Sequence, residues 1–188
     1  RPQVSAFLEY ARNNGAIIYY DVNYRPSHRD EVVKLTSNIL ENLEYADIVR
    51  GSSEDFEVMF KMNDADKVYN AEISFYCKKF IYTRGKEPVA LRAEQLSKEY
   101  PVIETDTVST IGAGDNFNAG FVYGLIKYGI TKDMIDSGLD EEQWDHIIRC
   151  AQLFSVQCCK SINNYVDQEF GAQMQNEMTE YLSQTNEE

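Results

Sequence analysis

Along the 188 residues, apolar and polar positions switch repeatedly between helical and strand-like spacing. Val4, Phe7, Leu8 and Ala11 recur at helical intervals, and Asn14-Gly15 closes that helix. Residues 16–20 form a short β-rich run of the kind found in buried parallel strands. Val32, Val33, Leu35, Ile39, Leu40 and Leu43 mark a second helix, and residues 45–49 a second strand. Ser53 introduces a short acidic helix through Phe60, and a further helix is predicted over residues 65–77. Residues 79–83 read as a third buried strand, and residues 89–91 and 100–104 as an antiparallel edge. A helix opens at Asn116, with Phe117, Phe121 and Leu125 on one face, and Gly120 and Gly124 predict close packing of that helix on the sheet. Trp144, Ile147, Ile148, Ala151, Phe154 and Cys158 form an apolar stripe; Phe170, Met174, Met178 and Leu182 suggest a last amphipathic helix before a polar, fraying tail at 183–188. Strands alternating with helices predict an α/β layered fold, with a largely parallel central sheet flanked by helices.

Composition narrows the partners. A net charge of −13 argues against nucleic acid and anionic membranes, both of which need clustered Lys and Arg. It does not exclude ATP, which needs only a locally positive site. No apolar run approaches 18 residues and the amino terminus is not signal-like, so a soluble protein is expected. Cys77, Cys150, Cys158 and Cys159 lack zinc spacing, and adjacent Cys158-Cys159 is a poor disulfide pair. Reduced, buried thiols and a cytoplasmic location are the expectation. His28 and His146 lie far apart without ligand spacing and are read as structural or exposed.

The chemistry concentrates at Gly112-Ala113-Gly114-Asp115. Two glycines allow close backbone approach to a ligand, and the helix that follows offers unpaired N–H groups and the positive end of its dipole to an anion. Asp115 repels a phosphate but suits a second substrate, as the base that takes a proton from an attacking hydroxyl. A glycine cradle beside a base is the minimal equipment for phosphoryl transfer. A dinucleotide-binding turn needs Gly-x-Gly-x-x-Gly, but Phe117 stands where the third glycine belongs. The P-loop pattern Gly-x-x-x-x-Gly-Lys-Ser/Thr is absent.

Ser109-Thr110-Ile111-Gly112-Ala113-Gly114-Asp115-Asn116-Phe117-Asn118-Ala119-Gly120-Phe121 resembles the C-terminal signature of the ribokinase-like (pfkB-type) carbohydrate kinases, Asp-Thr-x-Gly-Ala-Gly-Asp followed by a small-residue helix. The resemblance implies a ribokinase-like fold and ATP-dependent phosphorylation of a sugar hydroxyl with Mg2+. Amides of Gly112, Ala113 and Gly114 then form the anion hole, and Asp115 is the catalytic base. It covers the chain from about Arg1 to its end, but only the C-terminal, nucleotide-binding part of such a kinase. The family's lid and much of its sugar pocket are absent, so an inactive isolated fragment is expected and the oligomeric state stays open. Ser109 replaces the family's usual aspartate in a loop that often helps bind K+, so that ion stays a possible cofactor whose activation the departure puts in doubt.

Four more segments carry candidates, each with two readings. Asp21-Val22-Asn23-Tyr24-Arg25 follows the first strand and resembles the family's Asp-x-Asn-x-Arg, making Asn23 and Arg25 substrate candidates; an Asx turn into Pro26 is the alternative. This form is associated with fructokinase-like and 2-keto-3-deoxygluconate kinase-like members, so a fructose-like hexose or a 2-keto-3-deoxy sugar acid is the implied substrate. Gly51-Ser52-Ser53-Glu54 matches the family's Asn-x-x-Glu with Gly51 in place of Asn; Glu54 is the magnesium candidate, or Ser53 simply caps an acidic helix. Thr83-Arg84-Gly85-Lys86 resembles a Thr-x-Gly turn near nucleotide phosphates, with Thr83 and Gly85 as contacts, or else a plain hairpin turn. Asn164, after the long helix, is a nucleotide candidate by its place in the family, and Asn118 either orients Asp115 or faces solvent. The functional alternative is a nucleotide- or sugar-binding module without turnover, in which Asp115 has no task.

Overall fold

The structure, a computed structural model, describes residues 2–24 and 31–185, the stretch 177–185 as helix backbone alone. The chain divides into two compact units, residues 1–102 with 131–138, and residues 103–130 with 139–188.

The first unit holds α1 (Pro2–Asn13), β1 (Tyr19–Asp21), α2 (Val32–Leu43), β2 (Ile48–Ser52), α3 (Ser53–Phe60), α4 (Ala65–Ala71), a 3-10 turn at Ile73–Phe75, β3 (Lys79–Arg84), β4 (Glu87–Ala93), β5 (Leu96–Tyr100) and α6 (Lys132–Ser137). The strands lie in sequence order, with β1, β2 and β3 parallel, β4 antiparallel to β3, and β5 antiparallel to β4. Four of the five strands therefore run the same way, as the alternation of elements predicts. The core is aromatic: the Phe56 ring meets Phe80 edge-on at 5.4 Å and stacks on Tyr82 at 5.9 Å. Burying such rings supplies most of the drive to fold.

Several boundaries differ from the pattern, each for a local reason. The strand expected at 16–20 starts only at Tyr19, because the Ile18 amide donates to the Asp47 carboxylate (2.8 Å) instead of to a ladder. The strand expected at 45–49 starts at Ile48, since Tyr45 and Ala46 still hydrogen-bond back to Asn42 and Leu43 as the tail of α2. The helix expected over 65–77 ends at Ala71, and Ile73–Phe75 tightens into 3-10 geometry. The edge strand expected at 100–104 lies instead at Leu96–Tyr100. Glu94-Gln95 makes the turn with Glu94 at φ 38, held by Lys79 Nζ donating to its Oε1 at 2.8 Å. No residue of α1 is buried, and Phe7 of its apolar stripe is 67% exposed.

The second unit is built on α5 (Ala113–Lys127), α7 (Glu141–Cys159) and α8 (Gln168–Thr185). The stripe from Trp144 to Cys158 is buried, as are Phe117, Phe121, Leu125, Phe170 and Met174; the side chains of Met178 and Leu182 lie outside the described residues. Gly120 and Gly124 permit a close approach, but to α7 and not to the sheet. A β-carbon on Gly120 would sit 2.6 Å from the Cys150 carbonyl oxygen and 2.9 Å from Ala151 Cα. Gly120→Ala is therefore expected to destabilise by about 1–3 kcal/mol despite alanine's better helix propensity. Gly171→Ala in α8, where a β-carbon meets nothing within 4 Å, is expected to stabilise by roughly 0.5–1 kcal/mol. Thermal unfolding of the two variants checks the contrast; equal shifts of the same sign would refute it.

Candidate active site

In the second unit, the chain enters α5 through a turn fastened to the end of α7. The amides of Val108 and Ser109 both donate to the Cys159 carbonyl (2.8 and 3.3 Å). The Ser109 hydroxyl accepts from the Ile111 amide at 3.2 Å. Gly112 then takes the N-cap position at φ 81, a left-handed conformation suited to glycine, and no side chain caps the helix. The Ala113 amide donates to the Thr110 carbonyl at 3.2 Å, and among the described residues the Gly114 and Asp115 amides of the first turn have no backbone acceptor. Asp115 is exposed in that same turn. An acceptor group and unsatisfied donors thus share one end of α5, the arrangement that receives an anion next to a base.

Asn164 reaches this turn. Its carbonyl accepts from Asn116 Nδ2 at 3.0 Å, and its backbone packs so closely on Gly112 that a β-carbon there would meet Asn164 O at 2.9 Å. Asn116 is buried, whereas Asn118, which the sequence offered as an orienter of Asp115 or as a solvent-facing residue, is half-buried. The Cys158 thiol, fully buried, points at the carbonyls of Ile111 (3.5 Å) and Asn163 (3.8 Å), and burial above all pushes its pKa up, with Cys159 and Asp115 adding to the shift. It is therefore a protonated donor at neutral pH. All four cysteines are free thiols, and His146 stacks on Tyr128 at 4.5 Å as a structural residue.

In the first unit, the other candidates gather at the carboxyl ends of parallel strands. Asn23 follows β1, exposed and at φ 42. Arg25, like His28, lies outside the described residues. Asp21 is not past the strand but inside it, paired with Arg50 Nη1 at 3.0 Å. Arg50 is buried and its Nη2 donates to the Thr83 hydroxyl at 2.8 Å, so one guanidinium ties the ends of β1, β2 and β3 together. Gly85 sits at φ 51 in a two-residue turn between Arg84 and Glu87, which form a 2.7 Å ion pair; the local geometry is the hairpin alternative.

Glu54 is exposed in the first turn of α3, with the Ser53 hydroxyl 3.2 Å from its Oε2. The cap of α3 is Ser52, not Ser53, in a reciprocal capping box with Asp55. Asp55, a residue the sequence reading passed over, is buried; it accepts from the Tyr24 amide and the Ser52 amide at 2.6 Å each and from the Ser52 hydroxyl at 2.7 Å. It fixes the exit of β1, next to Asn23, onto the start of α3, next to Glu54. Gly51 has a packing reason: a β-carbon there would sit 2.5 Å from the Phe56 ring. Among the described residues there is no group of three or more His, Cys, Asp or Glu side chains able to hold a metal. A single exposed carboxylate fits Mg2+ in the form that keeps waters and leans on substrate phosphates.

Comparison with known proteins bears on both units. The pattern of the pfkB family carbohydrate kinases matches residues 3–168. A 5-dehydro-2-deoxygluconokinase of Geobacillus thermodenitrificans (strain NG80-2) is 30% identical over 133 residues, covering 67% of this chain and 39% of that protein. The chain thus spans about two fifths of the length of the curated relatives it matches. Among solved structures, fructokinase from Vibrio cholerae O395 with fructose, ADP and potassium superposes with a TM-score of 0.74 at 16% identity, over 87% of this chain and 51% of that one. Fructokinase from Xylella fastidiosa with bound ATP gives 0.70 at 21% identity, over 86% and 51%. Aminoimidazole riboside kinase from Salmonella enterica, with its riboside and an ATP analogue, gives 0.70 at 18%, over 85% and 51%. These structures share the fold.

Proposed function

Because the chain belongs to the pfkB family of carbohydrate kinases, we propose that it supplies the base, the anion site and the nucleotide and magnesium contacts of an ATP-dependent sugar kinase. Asp115 accepts the proton of a primary sugar hydroxyl as that oxygen bonds to the γ-phosphorus and the bond to the bridging oxygen of ADP breaks. The Gly112–Gly114 turn stabilises the charge that spreads over the transferring phosphoryl oxygens, Gly114 most directly, since the Ala113 amide must first leave Thr110. Such donors contribute roughly 10²–10³ in rate each, and a positioned base a further ~10²–10⁴. Asn164, Thr83 and Gly85 serve the nucleotide, Glu54 the magnesium and its waters, and Asn23 with Arg25 the sugar. Ser109 offers only a neutral hydroxyl already engaged by Ile111, so K+ is left out of the reading. The observation that carries the proposal is the exposed Asp115 carboxylate, in the first turn of a helix whose Gly114 and Asp115 amides have no backbone acceptor among the described residues.

The relatives' name favours a deoxy keto sugar acid over fructose as substrate. The test is ADP release from magnesium-ATP by a polypeptide of the relatives' length carrying this chain, with 5-dehydro-2-deoxygluconate, 2-keto-3-deoxygluconate, fructose and ribose. Release with the first well above the others supports the assignment. Release with fructose or ribose alone overturns the sugar, and release with none of the four leaves a binding module without turnover.

A further inference from the structure

Asn116 carries a task that neither the signature nor the relatives assign. Its side chain is buried one residue after the catalytic aspartate, in a helix where asparagine is a weak former. Both of its Nδ2 hydrogens are committed: one to the Gly112 carbonyl at 2.9 Å, the other to the Asn164 carbonyl at 3.0 Å. The Asn116 backbone amide donates to the same Gly112 carbonyl at 2.9 Å. One residue thus grips the glycine cap of α5 twice and reaches 48 positions along the chain for the third bond. The protonated Cys158 thiol lies under the same two segments, directed at Ile111 and Asn163. Gly112 also lies so near Asn164 that an added β-carbon would collide with it, and the carboxamide bridge spans the two segments at that point.

We infer that Asn116 is a positioning residue that couples the 161–165 loop to the Gly112–Gly114 turn, so that nucleotide held at the loop orders the amides of the turn. This rests on the proposed function for the nucleotide at Asn164. An apolar residue of similar size would fill the space but leave the Asn164 carbonyl without its donor. Coupling of this kind is reciprocal: whatever orders the turn also tightens the loop.

Amide hydrogen exchange followed by mass spectrometry tests it on this chain, in wild type, Asn116→Ala and the near-isosteric Asn116→Asp, which swaps two donors for acceptors. Without ligand, loss of two hydrogen bonds is expected to speed exchange roughly 5- to 150-fold at the hydrogen-bonded amides of segment 161–165 (Ser161 and Asn163) as well as of 110–115 (Ile111 and Ala113). Exchange in 147–154 of α7 should stay at the wild-type rate, showing an intact fold. Faster exchange confined to 110–115 in both variants would overturn the inference. Magnesium-ADP supplies the readout that a merely structural residue would not move. It should slow exchange in both segments of wild type, but in Asn116→Ala the slowing at 161–165 should no longer extend to 110–115. Equal slowing of both segments in wild type and variants would also overturn it. If magnesium-ADP protects neither segment of wild type, the nucleotide reading fails, while the ligand-free comparison still decides whether Asn116 links the two.

Discussion

Asp115→Asn is expected to lower turnover by ~10²–10⁴ while leaving nucleotide affinity and the fold intact. The substitution keeps the shape of the side chain in the first turn of α5 and removes only its ability to take a proton. Loss of a negative charge at the helix N-terminus costs at most about 0.3–1 kcal/mol at this exposed position. Removing a carboxylate next to a polyphosphate weakens nothing on the binding side. kcat and kcat/KM should therefore fall together, the pattern of an interaction made only in the transition state. Steady-state kinetics with nucleotide titration checks this. Near-wild-type kcat would remove Asp115 from the chemistry, and a large loss of affinity with kcat unchanged would make it a binding residue.

Gly112→Ala is expected to be the most damaging single methyl group in the turn. At φ 81 any L side chain is strained by about 1–2 kcal/mol. Here the added β-carbon would also meet Asn164 Cβ and O at 2.9 Å and Cα at 3.2 Å, mostly backbone that has no rotamer to escape into. The expected outcome is a loss of about 2–4 kcal/mol in stability, strain and overpacking together, with turnover reduced at least tenfold as the 161–165 loop is pushed away. Gly85→Ala is the control. It has a positive φ of 51 but nothing within 4 Å, so strain alone of about 1–2 kcal/mol is expected. Thermal unfolding of both variants separates strain from collision; equal losses would mean that Asn164 yields freely.

How much was legible in the sequence follows from the range of the interactions. The α7 stripe from Trp144 to Cys158 is a local period, and every member is buried. The glycine turn and Asp115 were legible because a short contiguous motif carries them. What local pattern hid were the partners. Asp55 reads as one more acid in an acidic helix, yet its decisive bond goes to Tyr24, 31 positions away. Asn116 looks equivalent to Asn118 until the 161–165 loop is seen beside it. Gly120 and Gly124 announced a close approach but not what approached, since a missing side chain accommodates a helix as well as a sheet. The β4–β5 turn escaped because Glu94 adopts φ 38 without being glycine or asparagine. The Ser52 cap escaped because the sequence offers two serines in a row and only the backbone chooses between them.

The measurement that bears most directly on the central claim, that the turn before Asp115 receives the transferring phosphoryl group, is the affinity for magnesium-ADP with and without aluminium fluoride in a polypeptide carrying this chain. The fluoride complex imitates the transferring group, so an anion site built for the transition state should bind it at least 10²-fold more tightly than magnesium-ADP alone. That gain should shrink in Gly112→Ala. Equal affinity with and without fluoride, or a gain that Gly112→Ala leaves untouched, would contradict the account.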